Sequence, residues 1–165
     1  KLVLLCDVSG SMMQFSEFAL RFIQSLNQVS ENSQVFLFSE DLFEADAFSL
    51  QNMDLFRNYV RESGLYGKGT DLGAALKKLC ARKPSVLGPS TTLIILSDTK
   101  TVDINGAALA LLEAKRQSGK VLWLNPIPES KWPYLRSTQT MATICQMVPC
   151  STLRDLANAC RRLVM

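Results

Sequence analysis

Three oxygen-bearing side chains recur at alternate positions in Asp7-Val-Ser9-Gly-Ser11, directly after the apolar run Leu2–Cys6. Two more groups of the same kind lie far along the chain. Thr70 sits in Gly69-Thr70-Asp71, and Asp98 follows the apolar segment Thr91–Ser97. Together they offer two carboxylates and three hydroxyls, with no nitrogen or thiolate donor. An all-oxygen set suits a hard cation, and few carboxylates supplemented by neutral oxygens and water favour Mg²⁺, with Mn²⁺ or Ca²⁺ as alternatives. The chain has no histidine, which removes Ser-His-Asp and Cys-His nucleophile systems and every imidazole ligand.

These five residues act together only if the fold gathers them. Leu2–Cys6 reads as a strand buried on both faces. Apolar residues from Met12 to Val29 recur at helical spacing, with Phe15, Phe18, Phe22, Ile23 and Leu26 on one face. Gln34–Phe38 is a second strand, and Leu42–Phe48 returns beside it as an edge hairpin. Helices are expected over Asn52–Arg61, Leu72–Arg82, Ala107–Gln117 and Thr152–Leu163. Further strands are expected over Thr91–Ser97, Val121–Leu124 and Ile144–Val148. Gly119 reads as a helix cap and Asn125-Pro126 as a strand stop. Strands alternating with helices predict a doubly wound, Rossmann-like α/β fold. Its six-stranded sheet is mostly parallel, with one antiparallel edge strand and helices on both faces. In strand order 3-2-1-4-5-6 the first and fourth strands flank the switch point, where such sheets bind ligands beyond their carboxyl ends. Asp7 and Asp98 end those two strands.

Composition agrees with one ordinary domain over residues 1–165. The chain is 47% hydrophobic and 20% charged, and its net charge of +3 is too small and dispersed to argue for nucleic acid or an anionic membrane. Its apolar runs fall short of the roughly 18 residues that a membrane span needs. Five widely spaced cysteines without a CxxC pair predict reduced thiols and a cytoplasmic location. Lys1 runs straight into a strand with no leader, as expected of a domain excised from a longer protein.

The D-x-S-x-S segment, the lone Thr70 in a glycine-rich turn and Asp98 after its strand resemble the metal-ion-dependent adhesion site (MIDAS) of von Willebrand factor A (vWA) domains. The likeness extends to the CoxE-like subfamily through Asp7–Met12, Val35–Phe38, Gly67-Lys-Gly-Thr-Asp-Leu-Gly73, Trp123-Leu-Asn-Pro126, Trp132 and Tyr134. It covers nearly the whole chain. The resemblance implies that Ser9, Ser11 and Thr70 bind the metal directly while Asp7 and Asp98 act through water or hydrogen bonds. It leaves one coordination position for an acidic residue of a protein partner, and implies work with MoxR-type AAA+ ATPases in metalloenzyme maturation or complex remodelling. Met12, Met13 and Lys100 are expected at the partner-contact rim. The chain departs from the family after Asp98, where Thr99-Lys100-Thr101 replaces the usual glycine.

Each residue also has an ordinary explanation. Ser11 with Gln14 fits a capping box, Thr70 fits an N-cap, and Asp98 fits a turn cap. That three unrelated caps should fall on one ligand-binding rim is the weaker reading. Two rivals to a non-enzymatic binding module remain: an Mg²⁺-dependent phosphohydrolase built on Asp7, and an extracellular adhesive vWA domain. Phosphoaspartyl chemistry lacks the second acid two residues on, where Ser9 stands. Gly64, Gly67, Gly69 and Gly73 match no nucleotide-binding loop, and no base is present to activate a cysteine nucleophile. Trp123 and Cys145 and Cys150 are expected to pack in the core, Trp132 and Tyr134 to pack in their loop, and the basic pairs Lys77-Lys78, Arg82-Lys83 and Arg161-Arg162 to be solvated.

Overall fold

In β1 (Leu2–Asp7) successive side chains feed opposite faces of the sheet: Leu4 and Cys6 join one buried cluster, Val3 and Leu5 the other. A strand apolar on both faces must be covered twice. It therefore lies inside the sheet. The computed structural model describes residues 1–30, 32–65 and 68–164, without the side chains of residues 29, 153, 156, 160 and 162–164. Gly67 and the side chains of Val29, Cys160 and Arg162, all drawn on in the sequence reading, lie outside the described residues.

Parallel neighbours flank β1. They are β2 (Ser33–Phe38) and β4 (Thr92–Leu96), with Leu5 opposite both Phe36 and Ile95. Beyond them stand β5 (Lys120–Asn125) and β6 (Gln146–Pro149), while β3 (Leu42–Glu44) pairs antiparallel with β2. The order is β3-β2-β1-β4-β5-β6, as expected. Helices α1 (Ser16–Val29) and α2 (Met53–Glu62) pack Phe22, Ile23, Phe56 and Val60 on one face. Helices α3 (Leu72–Ala81), α4 (Ile104–Gln117) and α5 (Arg136–Ile144) pack Leu76, Leu111 and Met141 on the other. The last helix, α6 (Leu153–Val164), adds Ala159 to the first cluster. None of the described helices is long and apolar enough to cross a membrane.

Several local expectations need correction. Residues Gly10–Phe15 form a 3₁₀ turn and α1 begins only at Ser16; the Met12 amide reaches back three residues to the Ser9 carbonyl at 3.0 Å, tightening the entry. The edge strand stops at Glu44, and Phe48 is exposed. Helix α5 was not expected: it buries only Thr138 and Met141, too sparse an apolar stripe to read from spacing. Gly119 lies beyond the Ser118 C-cap of α4. There a Cβ would come 2.0 Å from the Pro89 carbonyl oxygen, so close backbone approach explains that glycine. Tyr134 is 85% exposed rather than packed, and Arg82 is half-buried, pairing with Glu44 at 2.5 Å beside the Phe36 ring.

Candidate metal centre

The carboxyl edge of the sheet brings three loops together. The Val8 amide donates to the Phe38 carbonyl at 2.9 Å, and the Asp71 amide donates to Ser39 at 2.8 Å. Gly10 is tied to Lys68, and the Val102 amide donates to the Thr70 carbonyl at 3.0 Å. The Thr101 hydroxyl accepts from the Leu72 amide at 3.2 Å. Loops after β1, before α3 and after β4 are thus stitched through main-chain groups. Behind them α3 and α4 approach closely: a Cβ on Gly73 would meet the Ala107 amide nitrogen at 3.2 Å.

Ser9, Ser11 and Thr70 line one open cavity of about 300 Å³, together with Gly10, Lys68, Gly69, Lys100, Thr101 and Val102. The Ser9 and Ser11 hydroxyl oxygens are 3.5 Å apart. Asp7 and Asp98 are 2% and 1% exposed. Asp7 joins the cavity wall through the Ser9 amide, which donates to its Oδ1 at 2.9 Å; its Oδ2 accepts from the Ser97 hydroxyl at 2.7 Å. Burial pushes the Asp7 carboxyl up to about 6 against these hydrogen bonds, and the neighbouring Asp98 adds to the rise. Asp98 Oδ1 accepts from the Lys100 amide at 3.1 Å, whereas Oδ2 is buried without a hydrogen bond. The Lys100 ammonium lies 3.3 Å from that oxygen. A second buried oxygen on this edge, Ser39 Oγ, is likewise without a hydrogen bond.

The ordinary explanations fare unevenly. Asp71, not Thr70, caps α3, accepting from the Ala74 amide at 2.8 Å. Ser11 forms no capping box; Gln14 donates to its carbonyl instead, at 3.3 Å. Asp98 does cap its turn, but with one oxygen only. Cap geometry therefore leaves the hydroxyls of Ser9, Ser11 and Thr70 and one Asp98 oxygen unexplained. Met12 is 2% exposed and belongs to the core, so it does not reach the rim; Met13 is half-buried. Lys100 does line the cavity.

No three His, Cys, Asp or Glu side chains cluster among the described residues. A cation here would depend on hydroxyls and water beside the two carboxylates, and the Asp98 oxygen that receives no hydrogen bond and faces only the Lys100 ammonium fits such a charge. Ser97, Lys68, Thr99 and Val102 were missed from sequence. Ser97 was the most legible, as a hydroxyl adjoining Asp98 at a strand end. Thr99 carries a φ of 68°, the left-handed conformation that favours glycine. It is held there by its hydroxyl at 2.7 Å from that of Thr138 and its amide at 3.1 Å from Ser97 Oγ.

Comparison with known proteins follows the same lines. A family profile described as VWA domain containing CoxE-like protein matches residues 1–163. No curated protein matches the chain. Among solved structures it is similar to an aerotolerance-related membrane protein from Bacteroides fragilis, at 20% identity and TM-score 0.50, covering 75% of this chain and 66% of that one. It is also similar to the manganese-loaded TRAP protein of Plasmodium vivax, at 16% identity and TM-score 0.54, covering 75% and 56%. The PilB minor pilin from Streptococcus sanguinis shares 10% identity at TM-score 0.57, covering 98% and 60%. At these identities the likeness is one of fold, and the chain spans between 56% and 66% of those proteins' lengths.

Proposed function

The chain belongs to the family of VWA domain-containing CoxE-like proteins, and on that premise we propose that it is a non-enzymatic, metal-dependent protein-binding module. Ser9, Ser11 and Thr70 would hold a divalent ion, Mg²⁺ first and Mn²⁺ or Ca²⁺ as alternatives. Asp7 and Asp98 would balance its charge through water or hydrogen bonds. When bound, the ion would supply a positive centre able to take a partner's carboxylate. The chain's own residues do the rest. The Ser9 amide and Ser97 hydroxyl engage both oxygens of Asp7, fixing the direction in which its charge is presented. Lys68 and Lys100 border the cavity, where two ammonium groups attract an acidic side chain. Val102, 75% exposed at the same rim, offers an apolar contact. A partner presenting Glu or Asp suits this rim, and family membership makes a MoxR-type AAA+ ATPase, or a client it remodels, the first candidate. A cytoplasmic setting belongs to the same proposal, since Cys6, Cys80 and Cys145 are thiols rather than disulfides.

One observation carries the reading. Ser9, Ser11 and Thr70 line a single cavity, and Asp98, reached from it through Lys100, keeps a buried oxygen without a hydrogen bond. The Lys100 ammonium at 3.3 Å is its counter-charge, and a divalent cation would be a stronger one. The phosphohydrolase reading is weaker, because both oxygens of Asp7 are engaged and a nucleophile needs one of them.

The test uses purified partner and calorimetry. Wild-type protein should bind Mn²⁺, an ion that the TRAP structure also carries, and should capture a MoxR-type ATPase with Mg²⁺ but not with EDTA. A Ser9→Ala, Thr70→Ala double variant should keep its circular dichroism and lose both activities. Metal binding undiminished in that folded variant would overturn the proposal.

A further inference from the structure

We propose that Lys100 is a tethered counter-ion of this site: it stands on Asp98 when no metal is bound and yields that carboxylate when metal enters. The inference rests on the metal-dependent reading above. Lys100 Nζ lies 3.3 Å from Asp98 Oδ2, on a carboxylate that is 1% exposed. That oxygen receives no hydrogen bond, so the ammonium faces it as an ionic neighbour without an aligned N–H donor. The Lys100 amide holds the other oxygen at 3.1 Å, which keeps the tether short. The lysine side chain is 59% exposed and lines the cavity shared by Ser9, Ser11 and Thr70. It is free to swing outward. The turn that presents it is fixed by Thr99, whose hydroxyl is anchored to Thr138 at 2.7 Å and Ser137 at 3.1 Å.

Two consequences follow from charge alone. A divalent ion entering the cavity meets a resident positive charge, which lowers its affinity until Lys100 leaves Asp98. Once displaced, Lys100 joins Lys68 at the mouth, where a partner carboxylate is attracted to it. One residue thereby weakens the metal alone and strengthens metal and acidic partner together, so each ligand favours the other.

Titration calorimetry with Mn²⁺ alone, on wild type, Lys100→Gln and Lys83→Gln, tests this. Lys100→Gln should bind Mn²⁺ about tenfold more tightly, in keeping with removal of one nearby like charge. Its melting temperature in EDTA should drop, because Asp98 loses its counter-ion. Lys83, exposed beyond the C-terminal end of α3, is the control for general charge, and Lys83→Gln should change Mn²⁺ affinity less than about threefold. Equal affinity of wild type and Lys100→Gln overturns the counter-ion and leaves the metal site standing. An equal gain in both glutamine variants also overturns it, by reducing the effect to net charge. No Mn²⁺ binding by any of the three folded proteins sinks both readings.

Discussion

Asp7 is held in place by groups that are themselves buried. Ser97 is fully buried, donates to Asp7 Oδ2 and accepts from the Thr99 amide. Ser97→Ala removes both bonds without opening the core, so the expected loss is about 2 kcal/mol, measured as a shift in the urea midpoint at constant slope. An unchanged midpoint would show that the Asp7–Ser97–Thr99 chain contributes nothing. Cys80 gives a pH-dependent test. Burial, helped by Glu113, pushes its thiol up to about 11. A raised thiol pKa means that the thiolate is scarce at pH 8 and grows as pH rises toward 11. Alkylation of Cys80 in the native protein should therefore run about a hundredfold slower than for free cysteine at pH 8, and accelerate with pH, as read by mass spectrometry of its peptide. Labelling at the free-cysteine rate would contradict this.

At the scale of elements, the site depends on α3 and α4 delivering two loops to one edge. Gly73 lets them approach, with the Ala107 amide nitrogen 3.2 Å and the Gly106 carbonyl carbon 3.3 Å from where a Cβ would stand. Gly73→Val must push the helices apart, at a cost of about 2 kcal/mol, and should weaken metal binding together with stability; a thermally neutral Gly73→Val would refute the close-packing account. The same scale shows what could be read from sequence. Strands β1 and β4 were legible because parallel strands buried on both faces write continuous apolar runs, and their order followed from topology. Asp7 and Asp98 were legible as the polar residues ending those runs. Helix α5 was not, since its buried residues are a threonine and a methionine amid Arg136, Ser137 and Gln139. Met12 was misplaced at the rim because the chain enters α1 through a 3₁₀ turn, which rotates that side chain into the core. Ser97 is legible as a polar strand end, but its bond to Asp7 spans 90 residues, which no local spacing records.

For the molecule as a whole, the doubly wound sheet explains how residues 7, 70 and 98 come to one edge, and the use proposed for that edge is metal-dependent binding of an acidic partner. The fold alone does not decide that use, since neighbours of the same architecture include a minor pilin and a membrane protein. The central claim is that hydroxyls of two loops, after β1 and before α3, bind one hard ion beside Asp7 and Asp98. A crystal grown with Mn²⁺ and recorded at an energy where manganese scatters anomalously tests it most directly. The account predicts a single anomalous peak about 2.1–2.3 Å from the hydroxyl oxygens of Ser9, Ser11 and Thr70, at the reach expected for a small divalent ion, with Lys100 drawn away from Asp98. Manganese bound elsewhere, or no peak in that cavity, would contradict it.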